Sequence, residues 1–193
     1  MKKLCTVLLV LGLVLSSIFA NNILQVGPSF TWNKPVVQFD ELPEDMKDFD
    51  INNLMFGADV RLNMGFFQLA TQAGIGGAFG DASAVSFNTN ATANLRFAPA
   101  FFEIFIGAGV NMDFMYFKDA KQWTLNGQTF DNAGDAFARS SLIYRAGLGL
   151  NMGFLGLNVQ AIIPTQGTFK ENFSMMPLWE NTKVTASVLF NFF

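Results

Sequence analysis

Between residues 54 and 64 the chain alternates strictly between two kinds of side chain. Leu54, Phe56, Ala58, Val60, Leu62 and Met64 take the even positions, and Met55, Gly57, Asp59, Arg61 and Asn63 the odd ones. Successive side chains of a strand point to opposite faces, so this is a ribbon with one apolar and one polar face. A helix would scatter both kinds around its surface. The same alternation runs through seven further segments, and wherever charge occurs in them it falls on the polar phase.

The other segments cover residues 24–33, 67–79, 85–97, 102–116, 142–152, 155–163 and 183–192. The fourth in chain order is very clean: Val85, Phe87, Ala91, Ala93, Leu95 and Phe97 oppose Ser86, Asn88, Asn90, Thr92, Asn94 and Arg96. In the fifth, Phe102, Ile104, Ile106, Ala108, Val110, Met112, Phe114 and Tyr116 oppose Glu103, Gly107, Gly109, Asn111 and Asp113. The eighth sets Val184, Ala186, Val188, Phe190 and Phe192 against Lys183, Thr185, Ser187 and Asn191. Each segment is long enough for a tilted membrane strand of about 9–11 residues.

Connections alternate in length. Tight turns with Gly or Pro are expected at residues 63–67, 97–101 and 151–155. The intervening connections, 34–50, 80–84, 117–138 and 166–182, are longer and carry charge. Short turns at one end and long loops at the other suit an outer-membrane barrel with both termini on the periplasmic side. The run Leu62-Asn63-Met64-Gly65-Phe66 recurs as Leu150-Asn151-Met152-Gly153-Phe154, either a duplication or one turn problem solved twice.

Composition fits that picture. The chain is 51% hydrophobic and only 14% charged, yet no apolar run after the N-terminus is long enough for a membrane helix. Residues 1–20 read as a signal peptide: Lys2 and Lys3 precede an apolar stretch from Leu4 to Leu15, with cleavage expected after Ala20. Residues 21–193 then form a single barrel domain. Cys5, the sole cysteine, lies inside the signal, so no disulfide is expected. With 15 Asp+Glu against 12 Lys+Arg and no basic tract, nothing points to nucleic acid.

Alternation alone does not say which face looks outward, since a lipocalin-type soluble barrel would turn its apolar phase inward. The polar phase here is mostly Gly, Asn, Gln, Ser and Thr rather than Lys and Glu, which suits a crowded lumen better than a water-facing surface. Aromatic residues of the apolar phase gather at the two ends, Phe67, Phe97, Phe102, Phe190 and Phe192 by the turns and Trp32, Phe79, Phe87, Phe114, Tyr116 and Tyr144 by the loops. Such girdles mark two membrane interfaces. The expected fold is therefore all-β, an eight-stranded antiparallel up-and-down transmembrane barrel.

Among the strand charges, Asp59, Glu103 and Asp113 balance Arg61, Arg96 and Arg145 in sign. Buried charges persist only when paired, so these should form a lumen network, with Arg96 and Glu103 meeting across a tight turn. A plug is one reading and a charged constriction for solutes the other. Eight strands leave an interior that side chains can fill, which favours the plug.

In these features the chain resembles the small eight-stranded outer-membrane barrels, such as the OmpA barrel domain, OmpX and OmpW. The resemblance spans the whole chain after the signal and is architectural. It implies a bacterial outer-membrane location, lipid as the surrounding partner, and recognition of the last strand by the barrel-assembly machinery. Phe190, Phe192 and Phe193 would carry that assembly signal. One departure is that the apolar phase ends at Phe192 rather than at the terminal Phe193.

No catalytic, cofactor or metal site is expected. Enzymes among these barrels resemble one another in using a His, and this chain has none. The acids at Asp40, Glu41, Glu44, Asp45, Asp48 and Asp50 lack EF-hand spacing and read as a solvated loop. Residues 123–130 read as a small hairpin with an Asn-Gly turn. Trp123, Phe130, Phe173 and Trp179 make the long loops apolar: such residues either pack on each other and continue the strands above the membrane, or form a surface for an extracellular ligand or host protein. The sequence thus favours a monomeric structural or surface-interaction barrel, with a narrow channel or uptake pore for small solutes, hydrophobic ones included, and a soluble periplasmic lipid binder as alternatives.

Overall fold

The computed structural model describes residues 23–33, 53–77, 83–99, 101–126, 128–130 and 132–192. The expected signal peptide, the acidic loop 34–50 and Phe193 lie outside these. Among the described residues nine strands follow in chain order: β1 (Leu24–Trp32), β2 (Leu54–Met64), β3 (Phe67–Gly76), β4 (Ala84–Phe97), β5 (Phe102–Phe117), β6 (Gln122–Leu125), β7 (Ser141–Met152), β8 (Leu155–Thr168) and β9 (Lys183–Phe192). A short helix, α1 (Ala133–Ala138), precedes β7.

All strands but β6 pair antiparallel with a neighbour on each side, in the order β4-β3-β2-β1-β9-β8-β7-β5, and the β4–β5 ladder closes the ring. The result is a closed eight-stranded barrel. Closure satisfies the backbone groups that an open sheet would leave along its edges. Trp32, Val184, Ala161, Ala146, Ile106, Leu95, Phe67 and Met64 are successive partners around the wall. That circuit starts at the last residue of β1 and ends at Met64, two residues past the partner of the first, so the stagger exceeds the length of β1. A stagger of this size tilts the strands and keeps the bore narrow.

Every one of the eight sequence segments is a strand of the wall, and β6 is extra. It pairs with Phe114–Phe117, occupying above Asn111 the place that β7 holds below. The expected hairpin at 123–130 is therefore different in kind: Leu125 bridges to Gln128 across a tight turn with Asn126 at φ 48°, but the strand partner of β6 is β5. The upper half of β5 would otherwise be an open edge. β8 also runs further than the alternation reached, to Thr168, because a hairpin with residues 172–178 continues its ladder.

The repeated Asn-Met-Gly-Phe motif has a backbone cause. Gly65 and Gly153 open two-residue turns at φ 65° and 69°, and Met64↔Phe67 and Met152↔Leu155 close them. Turns of the primed family match strand twist and need glycine at that place. A Cβ added at Gly65 meets nothing within 4 Å. Gly65→Ala should therefore cost about 1 kcal/mol through backbone strain alone, measured as a lower midpoint of denaturant unfolding in micelles, with Gly153→Ala behaving alike.

Side-chain orientation is inside-out relative to a soluble barrel. Arg61 and Arg145 are fully buried, while Phe67, Leu95 and Ile106 are each about 60% exposed. The polar phase lines the lumen and the apolar phase covers the outer wall. That settles the orientation that alternation left open.

Candidate functional site in the barrel lumen

Asp59 and Arg61 are two residues apart on β2 and so share its inner face. The Arg61 Nη2 donates to Asp59 Oδ2 at 2.7 Å, and Arg61 Nε lies 3.2 Å from the same oxygen. From across the bore, Arg145 Nη2 on β7 donates to both Asp59 oxygens at 3.1 Å. The Ser187 hydroxyl on β9 adds a donor at 3.0 Å. One carboxylate thus gathers donors from three strands.

Gln160 on β8 is the second hub. Its Oε1 accepts from Arg61 Nη2 at 2.9 Å and from Arg145 Nε and Nη2 at 2.9 and 2.7 Å, while its Nε2 donates to Gln72 Oε1 on β3 at 3.2 Å. Asn158 Oδ1 takes a further Arg61 bond at 2.9 Å, and Arg145 Nη1 reaches Thr92 on β4 at 3.4 Å. Carbonyl oxygens of amide side chains suit these positions because they accept without adding charge.

Towards the tight-turn end, Glu103 on β5 accepts from Arg96 Nε at 3.0 Å and faces Arg61 Nη1 at 3.5 Å. Gln68 and Asn151 each donate to it at 3.2 Å. The residue paired with Arg96 in the ladder is Phe105, so the Arg96–Glu103 contact expected across the turn is diagonal. β1 joins through Gln25, which donates to Asn191 at 2.8 Å, and through Thr31, which accepts from Gln72 at 2.9 Å. All eight wall strands are stitched through the lumen.

Five of the six expected lumen charges form this one buried cluster: Asp59, Arg61, Arg96, Glu103 and Arg145. Asp113 does not join it. Its carboxylate sits higher, accepting from Asn88 and from Asn111 at 2.9 Å, and pairs with Lys183 at 3.5 Å. That pair is partly open to solvent at the loop end, whereas the lower cluster is sealed.

Sequence reasoning did not single out Lys183, Gln160 or Phe105. Lys183 and Gln160 lay on the polar phase and were readable there as lumen residues, though not as partners. Phe105 shares a phase with Glu103 and is inward, fully buried despite being apolar. The Arg61 guanidinium lies 4.8 Å and that of Arg145 5.8 Å from its ring centroid, both within cation–π range. Facing Phe105 in the ladder is Gly147, and a Cβ there would run into the ring. Met55, Ile143, Ile162 and Leu189 are also buried on inner-face positions, so the lumen is mixed rather than purely polar.

The other expected sites fall elsewhere. Phe190 and Phe192 are half-exposed on the outer wall at the end of β9. Trp123 packs on Tyr116 with ring centroids 5.0 Å apart, and Phe130 meets Phe114 edge-on at 5.6 Å. Those two flank the top of β5, while Phe173 and Trp179 belong to the connection from β8 to β9. Chemically, the lumen cluster holds charges still: both oxygens of Asp59 and both of Glu103 already face donors. Among the described residues no three His, Cys, Asp or Glu side chains gather as a metal site would require.

No protein-family model matches the chain, and no curated protein matches it. Among solved structures it is similar to Neisserial surface protein A (NspA), at 9% identity and a TM-score of 0.45, over 88% of this chain and 96% of that one. The closed eight-stranded barrel stands on the strand pairing itself.

Proposed function

We propose that this chain is a bacterial outer-membrane β-barrel that serves as a sealed structural and surface-interaction scaffold, without catalytic activity. The observation that carries the reading is the pairing of an uncharged apolar outer wall with a buried, hydrogen-bonded lumen. An outer wall of this kind in water would expose far more apolar area than soluble monomers tolerate. A lipid carrier would need its apolar phase inside, so the periplasmic-binder alternative loses its premise. Lipid is the fitting surrounding. The aromatic end of β9 suits recognition by the assembly machinery, with both termini periplasmic, and the long connections would then face the cell exterior.

A narrow pore is the competing reading, and the solvent-open Asp113–Lys183 pair is what favours it. Below that pair, Asp59, Arg61, Arg145 and Phe105 cross the bore and leave it filled with side chains. Purified protein in planar bilayers should give no resolved current steps. Steps in the wild type that vanish in Arg145→Ala or Asp113→Ala would overturn the sealed-scaffold reading. Membrane fractionation with surface proteolysis tests the location: protection of the tight turns and cleavage within 118–140 in intact cells is the expected result.

A further inference from the structure

We propose that the segment Asn172–Trp179, between β8 and β9, is a membrane-inserted loop that adds lipid-contacting surface to one side of the barrel. The proposal rests on the membrane-spanning reading above.

Tyr144 lies on the apolar, outward phase of β7, paired with Ala108 and Ile163. Its hydroxyl donates to the Met175 carbonyl at 3.0 Å. A contact from an outward side chain places this stretch over the outside of the wall. Two further residues of the same outward phase, Leu142 and Ile163, are buried at 6% and 8% exposure, although comparable outward residues elsewhere are open. The segment therefore lies against a surface that otherwise faces lipid.

What it presents outward is also apolar. From Asn172 to Trp179 no residue is charged, and Phe173, Met176 and Trp179 are 72%, 62% and 65% exposed. Exposure of that size on one short stretch is expensive in water and natural in the interfacial layer of a bilayer, where Trp in particular concentrates.

Backbone bonding is compatible with entry into the interfacial layer. Away from water, peptide groups must be satisfied internally. Here the carbonyls of Asn172 and Met176 accept from the N–H groups of Thr168 and Gln166, and the Leu178 N–H donates to Pro164. The Met176 N–H faces the Ser174 hydroxyl at 3.5 Å, the Asn172 N–H donates to the Thr168 hydroxyl, and the Met175 carbonyl takes the Tyr144 bond. Pro177 has no N–H to satisfy. The turn at Trp179–Asn181 uses the Leu178 and Trp179 carbonyls. A hairpin bonded in this way can enter the interfacial layer, where water still reaches the amides that these bonds leave over, such as those of Phe173 and Ser174.

The test is the depth of Trp179. In a Trp32→Phe/Trp123→Phe variant refolded into phosphatidylcholine vesicles, Trp179 should lose most of its emission to lipids brominated near the glycerol end of the acyl chain. It should also be shielded from aqueous iodide. The difference between wild type and Trp179→Phe gives the same readout if the double variant folds poorly. Free access to iodide with no quenching by brominated lipid, in protein that floats with vesicles and has a β-type far-UV spectrum, would overturn the loop proposal alone. Failure to float with vesicles at all would overturn the membrane reading beneath it, and this proposal with it.

Discussion

Asp59→Asn should lower unfolding stability by about 3–5 kcal/mol, the usual cost of stranding a buried charge. The carboxylate neutralises two guanidiniums that are themselves fully buried, Arg61 at 2.7 Å and Arg145 at 3.1 Å. Asn keeps the shape but removes the charge, and its amide N–H₂ turns two donors towards groups that are already donors. Arg61 and Arg145 then face each other with Glu103, shared with Arg96, as the remaining carboxylate of the cluster. The check is the midpoint of denaturant unfolding in detergent micelles, followed by tryptophan emission. Charge logic adds a sharper expectation. Asp59→Asn/Arg145→Gln should be more stable than Asp59→Asn alone, because the second change removes a stranded cation. A double variant weaker than both singles would mean that packing, not charge, holds the cluster.

Phe105→Ala is expected to cost about 3–5 kcal/mol, the range for deleting a buried aromatic ring. Two effects add. The ring is buried on the inner face, where Gly147 across the ladder supplies no side chain to take its place. It also offers its π-face to two guanidiniums at 4.8 and 5.8 Å, an interaction worth about 1–2 kcal/mol when desolvated. Phe105→Leu separates them, since it restores most of the volume without the face. Its loss should be about half that of the Ala variant or less, and an equal loss in both would assign the whole effect to the ring's shape and stacking.

How much of this was legible beforehand depends on the physical range of each signal. Strand positions were readable because alternation is a local consequence of the pleat, so Leu54–Met64 gives β2 to the residue. Tight turns were readable because Gly65 and Gly153 meet a steric demand within two residues. The separation of Asp113 from the other five charges was not readable. Phase gives a face but not a height, and the height depends on the stagger accumulated around the ring. For the same reason Lys183 was visible as an inner-face residue but not as the partner of Asp113, which is 70 residues away in the chain. Phe105 was obscured because apolar character and inward phase disagree there, and only the arginines beside it explain the choice.

The long connections were least legible. Hydrophobicity marked Phe173 and Trp179 as residues that could continue the strands above the membrane, and Asn126 marked a turn, but nothing local says that β6 would cover the free edge of β5 or which part of β8 residues 172–178 would meet.

By itself, then, the sequence determined the two faces of every wall strand, the alternation of short and long connections and the set of charges sharing the inner face, because pleat and turn sterics act over two to four residues. Tertiary structure decided which charge meets which and at what height each sits along the inner face. Those outcomes require the ring to close, and closure with its tilt is a property of eight strands together.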